Sequence, residues 1–411
     1  MLIKLTRKIS AVKHKYPAHM DDKIIRLRKG KKGRLAPMHP WVFKGQIRKL
    51  TSSVRPGDIV TVISNEDAFL GRGYFNPASE IAIRLFTFKD EAIDGAFLSR
   101  RIKESVDKRA HLDSVTDAKR LIFSEADGLP GLIADLYGRT LVLQVFTLGM
   151  EKLKERIVAL IRDAVRPDFI YERSDSPFRK TEGLKNVEQW IGPAGNTDIE
   201  IREGRARFIV DIKRGHKTGF YLDQRRSRLA LGEISKGKKA LDLFCYTGGF
   251  SINAALGGAT EVLGIDTKED WLVAARRNAS INNVSGKTVF MASDAFKALK
   301  DICDSGRKFD IIVLDPPSFL KSKKDIVMAS RGYRELNTMA FRALEKDGAL
   351  CTFSCSHNMS NDIFSGIVKD SAKAAGRDFK ILKRRHQDKD HPILKEVPQT
   401  EYLKGYFLKV H

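Results

Sequence analysis

From about residue 207 onward, short apolar runs at 240–244, 261–265, 288–291, 309–314 and 349–353 alternate with longer amphipathic stretches. Strands spaced this way, with helices between them, bury both faces only as a mainly parallel sheet covered on each side. The expectation is an α/β fold of Rossmann-like type over 206–411. In such a sheet, ligands bind beyond the carboxyl ends of the strands. The polar residues of this half of the chain fall there.

The first run leads into a turn containing Asp242, Phe244, Tyr246, Thr247 and Gly248. Glycine at a strand-to-helix turn lets backbone approach a ligand closely. The second run ends in Asp266, placed to accept from ribose hydroxyls, and the third in Asp294, placed to accept from an adenine amino group with Phe296 beside the ring. One aspartate after a strand is an ordinary helix cap. Three successive strands ending in aspartate indicate an adenosine-bearing cofactor. Phe244 and Tyr246 stand where a dinucleotide fingerprint carries glycine, so a pyrophosphate cradle is missing. S-adenosylmethionine therefore fits better than NAD.

The fourth run delivers Asp315, Pro316, Pro317, Ser318 and Phe319, and the fifth Ser354, Cys355, Ser356 and His357. The prolines stiffen the loop and remove two donors, leaving Asp315 as an acceptor, with Phe319 as a stacking face for a flipped-out base. Carbon 5 of a pyrimidine is a poor nucleophile until a thiolate adds at carbon 6. That chemistry needs one positioned cysteine, and Cys355 is placed for it, with Asp315 holding the cytosine edge. Cys245, in the cofactor turn, is its rival. Cys351 belongs to a strand, and Cys303 is expected just past a helix. His357 is either the missing base or a loop residue.

The four cysteines form no C-x-x-C pair, so no metal is expected, and a reducing compartment fits. No apolar run reaches the roughly 18 residues of a membrane span, and no secretory signal is evident, so a cytoplasmic location is expected. A balance of 74 Lys and Arg against 51 Asp and Glu, net +23, concentrates polyanions. The cations are dense near the start: Arg26, Arg28, Lys29, Lys31, Lys32 and Arg34 are candidates for RNA phosphates, against the plainer role of a solvated terminus. At 411 residues the chain exceeds one ordinary core. Runs at 59–63 and 81–86 with glycine turns predict a small β-barrel over 1–92. A helix over 94–112 leads to a compact α+β unit over 93–205, with a strand at 141–146 and a helix at 151–165.

Several segments together resemble a known family: 39–43 (His-Pro-Trp-Val-Phe), 125–132, 218–225 (Thr-Gly-Phe-Tyr-Leu-Asp-Gln-Arg), 242–251, 315–319 and 353–356. The chain resembles the RlmI-type large-subunit ribosomal RNA cytosine-5 methyltransferases nearly end to end. The resemblance implies a PUA domain over about 1–90, a middle α+β domain, and a catalytic domain led by a β-hairpin around 208–221. It also implies that Phe220, Asp223 and Gln224 enclose the cofactor, that Cys355 is the nucleophile, and that the partner is 23S ribosomal RNA or a large-subunit precursor, with a homodimer left open. Two-cysteine relatives of this chemistry carry a Pro-Cys pair where this chain has Pro317-Ser318. Transfer to a base nitrogen or another nucleotide, and a non-catalytic RNA-binding assembly factor, are the competing readings.

Overall fold

A computed structural model describes residues 23–33, 35–319, 325–356 and 358–411. The first unit pairs β1 (Ile24–Leu27), β2 (Trp41–Val42), β3 (Ile47–Leu50), β4 (Ile59–Ile63), β5 (Phe69–Phe75) and β6 (Ile83–Thr87) in the order β2-β6-β5-β4-β1-β3. Alternating residues of β1, such as Ile25 and Leu27, enter its core beside Val60, Val62 and Leu85. Helix α1 (Gly95–Asp107), capped by Asp94, leads on; the stretch to Leu112 expected to continue it ends in a separate 3-10 turn.

The middle unit comprises β7 (Ala118–Phe123), β8 (Leu132–Tyr137), β9 (Thr140–Val145), α2 (Leu148–Val165), β10 (Phe169–Ser174), α3 (Phe178–Thr181) and β11 (Val187–Trp190). Its strands pair in reverse chain order, with α1 and α2 packed together against one face. Tyr74 of the first unit seals the joint. Its hydroxyl reaches Pro130 O at 2.9 Å and Thr147 Oγ1 at 2.8 Å, and a Cβ on Gly149 would lie 2.0 Å from its ring. Trp41 donates to Glu125 across the same joint (2.9 Å), so two of the motifs singled out in the sequence touch.

A hairpin of β12 (Asp198–Glu203) and β13 (Ala206–Asp211) precedes the last unit. It lies earlier than the expected 208–221. Left-handed Lys217 (φ 56°) and Gly219 (φ 140°) turn the remainder into a loop. Then follow α4 (Arg225–Glu233), β14 (Lys239–Leu243), α5 (Gly249–Leu256), β15 (Glu261–Asp266), α6 (Glu269–Ile281), β16 (Thr288–Ala292), α7 (Ala295–Asp304), β17 (Phe309–Leu314), α8 (Ile326–Ala343), β18 (Leu344–Ser354), α9 (Asn361–Ala374), β19 (Phe379–Arg385) and β20 (Lys404–Val410). The sheet order is β16-β15-β14-β17-β18-β20-β19, parallel up to β18 and antiparallel beyond it. The expected alternation of strands and helices is present, and the two antiparallel edge strands add to it. Cys303 lies in the last turn of α7 rather than past the helix.

One buried cluster runs from Tyr137, Val142 and Tyr171 of the middle unit through Phe208 and Phe220 to Phe250 and Phe353. Middle and last units therefore share a core. Buried ions join them as well. Arg225 pairs with Asp388 (2.6 Å) and Asp390 (3.0 Å) and donates to Ala118 O (2.7 Å), while Arg109 chelates Asp127 (2.7 Å twice) and reaches Asp390 O (3.0 Å). Removing one member strands its opposite charges in a dry interior. Arg225→Met is expected to lower unfolding stability by about 3–5 kcal/mol in urea titration, whereas Arg139→Ala, at the exposed pair with Asp168, leaves the transition in place. Equal midpoints for the two variants would show that the network carries no stability.

Candidate active site

The turn after β14 is held in an uncommon conformation: Phe244 (φ 66°), Tyr246 (φ 51°) and Gly248 (φ 82°) are all left-handed. Each non-glycine residue there costs roughly 1–2 kcal/mol, a strain that surrounding bonds must sustain. Cys245 N donates to Ile265 O (3.0 Å), Tyr246 N to Asp266 Oδ2 (3.0 Å) and Gly248 N to Cys245 O (2.8 Å). A Cβ on Gly248 would lie 3.2 Å from both Ala275 and Phe290, so backbone alone fits. The next residues, starting α5, follow Thr247, which is buried, and Thr247 O accepts from Asn278 (3.1 Å).

Three aspartates around this turn have different surroundings. Asp242 Oδ2 accepts from Ser251 N (2.9 Å) and Oγ (2.6 Å), its Oδ1 has no partner among the described residues, and burial pushes its carboxyl up to about 7. Asp223 is equally buried, and burial alone would raise it, but Lys217 (2.6 Å), His391 and the Tyr402 hydroxyl (2.7 Å) hold it well below the usual carboxylate range. Its Oδ1 too is unpartnered among the described residues, as is Oε1 of buried Gln224. Asp266 is half-buried at the end of β15, and its Oδ1 accepts from Thr267 N (2.8 Å). Buried acceptors without donors suit a ligand rich in N–H and O–H groups. An ammonium, a ribose diol and an adenine amino group supply such donors, so the residues present fit S-adenosylmethionine. Phe220 is buried nearby under the Arg228 guanidinium (4.5 Å from its centroid). Asp294 is exposed, and its carboxylate caps α7 by accepting from Lys297 N (3.0 Å), the ordinary alternative for that residue.

The other two loops leave adjacent parallel strands, with Leu314 paired to Thr352, so Asp315 and Cys355 emerge at the same end of the sheet. Cys355 Sγ lies 3.9 Å from Pro316 O. Burial and then the Asp315 charge push its thiol up to about 11, with Lys217 opposing. Asp315 is itself raised to about 7 by burial and then by Asp223. Ser318 and Ser356 join the loops through their hydroxyls (2.8 Å), Tyr333 bonds Ser354 (3.1 Å), and Lys404 Nζ donates to Ser356 O (3.0 Å). Pro316 is buried and Pro317 exposed. Phe319 lies against Tyr333 (4.8 Å) and Phe296 (6.2 Å), which puts one aromatic row between the third-strand loop and the fourth. The rival thiols are less accessible: Cys245 and Cys351 are buried, each with its pKa raised by burial.

Among the proposed phosphate ligands, Arg26 is half-buried, ion-paired with Asp67 and directed at Ser64 O (3.5 Å) and Asn65 O (3.4 Å), so the fold already uses its charge. Arg28, which donates to Ile47 O (3.1 Å), and Lys29 are exposed. Lys31 and Lys32 fall on the 3-10 turn Gly30–Gly33. Arg34 and His357 lie outside the described residues. Among the described residues no His, Cys, Asp and Glu side chains cluster as a metal site, and no helix is long and apolar enough to cross a membrane. Sequence reasoning missed Lys217, Tyr333 and Lys404. Lys217 adjoins the 218–225 motif, and Lys404 is a charge opening an apolar strand; Tyr333 gave no signal in a helix of ordinary periodicity.

Residues 159–385 match the model of a family described as S-adenosylmethionine-dependent methyltransferase, and 25–88 match a PUA-like domain. Ribosomal RNA large subunit methyltransferase I of Klebsiella pneumoniae is 39% identical over 390 residues, spanning 93% of this chain and 97% of that protein. Its namesake from Escherichia coli O139:H28 is 38% identical over 93% of this chain and 98% of its own length. A SAM-dependent methyltransferase structure from Streptococcus mutans shares the fold at 22% identity, with TM-score 0.77 over 94% of this chain and all (100%) of that one. A methyltransferase complexed with S-adenosylhomocysteine does so at 22% identity, with TM-score 0.78 over 94% of this chain and 99% of its own. The left-handed turn, its unpartnered acceptors and these matches agree: the chain belongs to the S-adenosylmethionine-dependent methyltransferases, in the group whose curated members are named ribosomal RNA large subunit methyltransferase I.

Proposed function

We propose that the protein methylates carbon 5 of a cytosine in large-subunit ribosomal RNA, with Cys355 as nucleophile. The observation that carries this reading is the emergence of Cys355 and Asp315 from adjacent strands, close enough for the Asp315 charge to disfavour the thiolate. The substrate class is that in the name of the curated relatives.

Asp223, Gln224, Asp242 and Asp266, with the 244–248 backbone, would hold the cofactor, which when bound supplies an electrophilic methyl group. The rest falls to the chain's own residues. The Cys355 thiol proton passes by way of Asp315 to ring nitrogen 3 as the sulfur bonds carbon 6, so no net charge is created in a poorly hydrated site. An Asp315 pushed up to about 7 exchanges that proton near neutral pH. Carbon 5 then carries the electron pair. After methylation the carbon-5 proton passes to solvent; as the carbon–sulfur bond breaks the ring double bond re-forms, and the nitrogen-3 proton returns by way of Asp315 to the Cys355 sulfur. Ser318 fills the place of a second cysteine, so release does not rely on a second thiolate. Phe319 and the stiff Pro316–Pro317 loop offer the flipped base a flat bed. Exposed Arg28 and Lys29 contribute phosphate contacts from the N-terminal unit. The substrate puts the protein in the cytoplasm.

Two outcomes follow. Asp242 must ionise to hold an ammonium, and its carboxyl is raised to about 7. Calorimetric affinity for S-adenosylhomocysteine should therefore weaken up to about tenfold per pH unit below 7, with a shallower dependence in Asp242→Asn. An affinity flat from about pH 5.5 to 8 would remove Asp242 from this role. Methyl-labelled cofactor with RNA from cells lacking the protein should yield labelled 5-methylcytidine, and Cys355→Ala should drop the rate at least about 10³-fold. Label in a base-nitrogen product, or a Cys355→Ala variant at full rate, contradicts the covalent route; binding without transfer would leave an assembly factor.

A further inference from the structure

Beside the cofactor turn, rings and cations gather, several of which the mechanism does not use. His216 stacks on Tyr246 (centroids 4.8 Å apart, 9° between planes), and Trp271 of α6 meets both edge-on at 5.0 and 4.9 Å. Tyr221 also meets His216 edge-on (5.9 Å, 89°), with its hydroxyl 3.0 Å from the imidazole Nδ1; His216 is exposed and Trp271 half-buried. Lys268 Nζ lies 5.6 Å from the Trp271 ring, and Lys213, Arg214 and Lys217 are exposed on the same loop as His216. No acidic side chain bonds Lys213 or Arg214 through its cationic head among the described residues.

The loop is built rather than loose. Asp211 Oδ1 accepts from the backbone N–H of both Lys213 and Arg214 (2.8 Å each), Arg173 Nη1 donates to Ile212 O (3.1 Å) and Gly215 O (2.6 Å), and His216 N donates to the Tyr246 hydroxyl (2.8 Å). A Cβ on Gly215 would meet Asp211 O and Gly219 O at 2.5 Å, so the turn admits only glycine. The loop runs directly into Tyr221, which feels the charges of both Asp315 and Cys355. A preset row of rings flanked by cations is the way single strands are held: bases stack, phosphates pair.

We infer that His216, Trp271, Lys213, Arg214 and Lys268 form a platform for an unpaired stretch of the RNA strand adjoining the target nucleotide. One base stacks on the exposed part of the His216–Trp271 pair, and the flanking phosphates meet the lysines and Arg214. Burial and then Lys268 keep His216 below the usual histidine range, so its ring is uncharged at neutral pH and stacks without paying to desolvate a charge. This deepens the proposed activity, resting on its RNA substrate while using different residues.

The test uses full-length protein saturated with S-adenosylhomocysteine and a short mixed-sequence RNA, single-stranded or in a duplex. Trp271→Ala should weaken single-strand binding roughly 5- to 150-fold, Trp271→Phe should restore most of it, and duplex binding should change little. Lys213→Ala and Arg214→Ala should each flatten the slope of log affinity against log salt by about 0.7 and leave S-adenosylhomocysteine affinity unchanged. Wild-type RNA affinity in Trp271→Ala, or equal losses on single strand and duplex, overturns the platform. So does a loss of S-adenosylhomocysteine affinity in Trp271→Ala that matches its RNA loss, since the rings would then serve the cofactor. Trp271-dependent binding of single strands by a protein that methylates no cytosine would support the platform and sink the activity reading alone.

Discussion

Arg225 is buried, with its charge sealed from water. It faces Asp388 and Asp390 from a segment near the C-terminus and Ala118 O from the first strand of the middle unit. Asp390 also accepts from Arg120 N (3.0 Å), and Asp388 N donates to Asp223 O (2.9 Å). One guanidinium thereby ties two distant stretches of chain to the segment that carries Asp223 and Gln224. Buried ion pairs seldom add much net stability, since desolvation consumes their attraction. Their use here is geometric, because a misplaced segment would leave charges bare, and few alternative packings satisfy all of them.

Positional certainty of this kind lets the site hold strain and unequal charges. Phe244 and Tyr246 stay left-handed because β15 and Asp266 fix the intervening backbone. Asp223 stays ionised because Lys217 and Tyr402 are brought to it, while Asp242 and Asp315, with less compensation, hold protons more tightly. Identical side chains in one site thus acquire different tasks from their neighbours alone, one a fixed anion and two poised near neutrality.

Much of this was legible beforehand. The five apolar runs become β14 to β18, since strands of a parallel sheet covered by helices read as short, largely apolar runs; only the edge strand β16 is mostly exposed. The turn at 242–251 and the loops at 315 and 355 were visible because each follows such a run directly. The antiparallel strands β19 and β20 were not: β19, Phe379–Arg385, is a largely exposed edge dominated by Lys and Arg, and it reads as a charged surface. The hairpin implied by the resemblance lies too late, because after β13 the chain turns at left-handed Lys217 and Gly219 into a loop, which no local residue pattern marks. Residues such as Lys404, Tyr333 and Asp388 act through contacts between segments far apart in the chain, for which local periodicity holds no record. Arg26 shows the converse. A basic run suggested phosphates, yet its partner, Asp67, lies on a turn that only the folded sheet brings near.

The account turns on Cys355 adding to a pyrimidine ring under the control of Asp315. Its most direct measurement is to incubate the protein and S-adenosylmethionine with substrate RNA carrying 5-fluorocytidine, whose carbon 5 cannot release a proton after methylation, and to map the covalent product by peptide mass spectrometry. The account predicts a stable protein–RNA adduct on the peptide containing Cys355, bearing one added methyl group on the base. An adduct on Cys245, or complete absence of an adduct while ordinary RNA is still methylated, would contradict it.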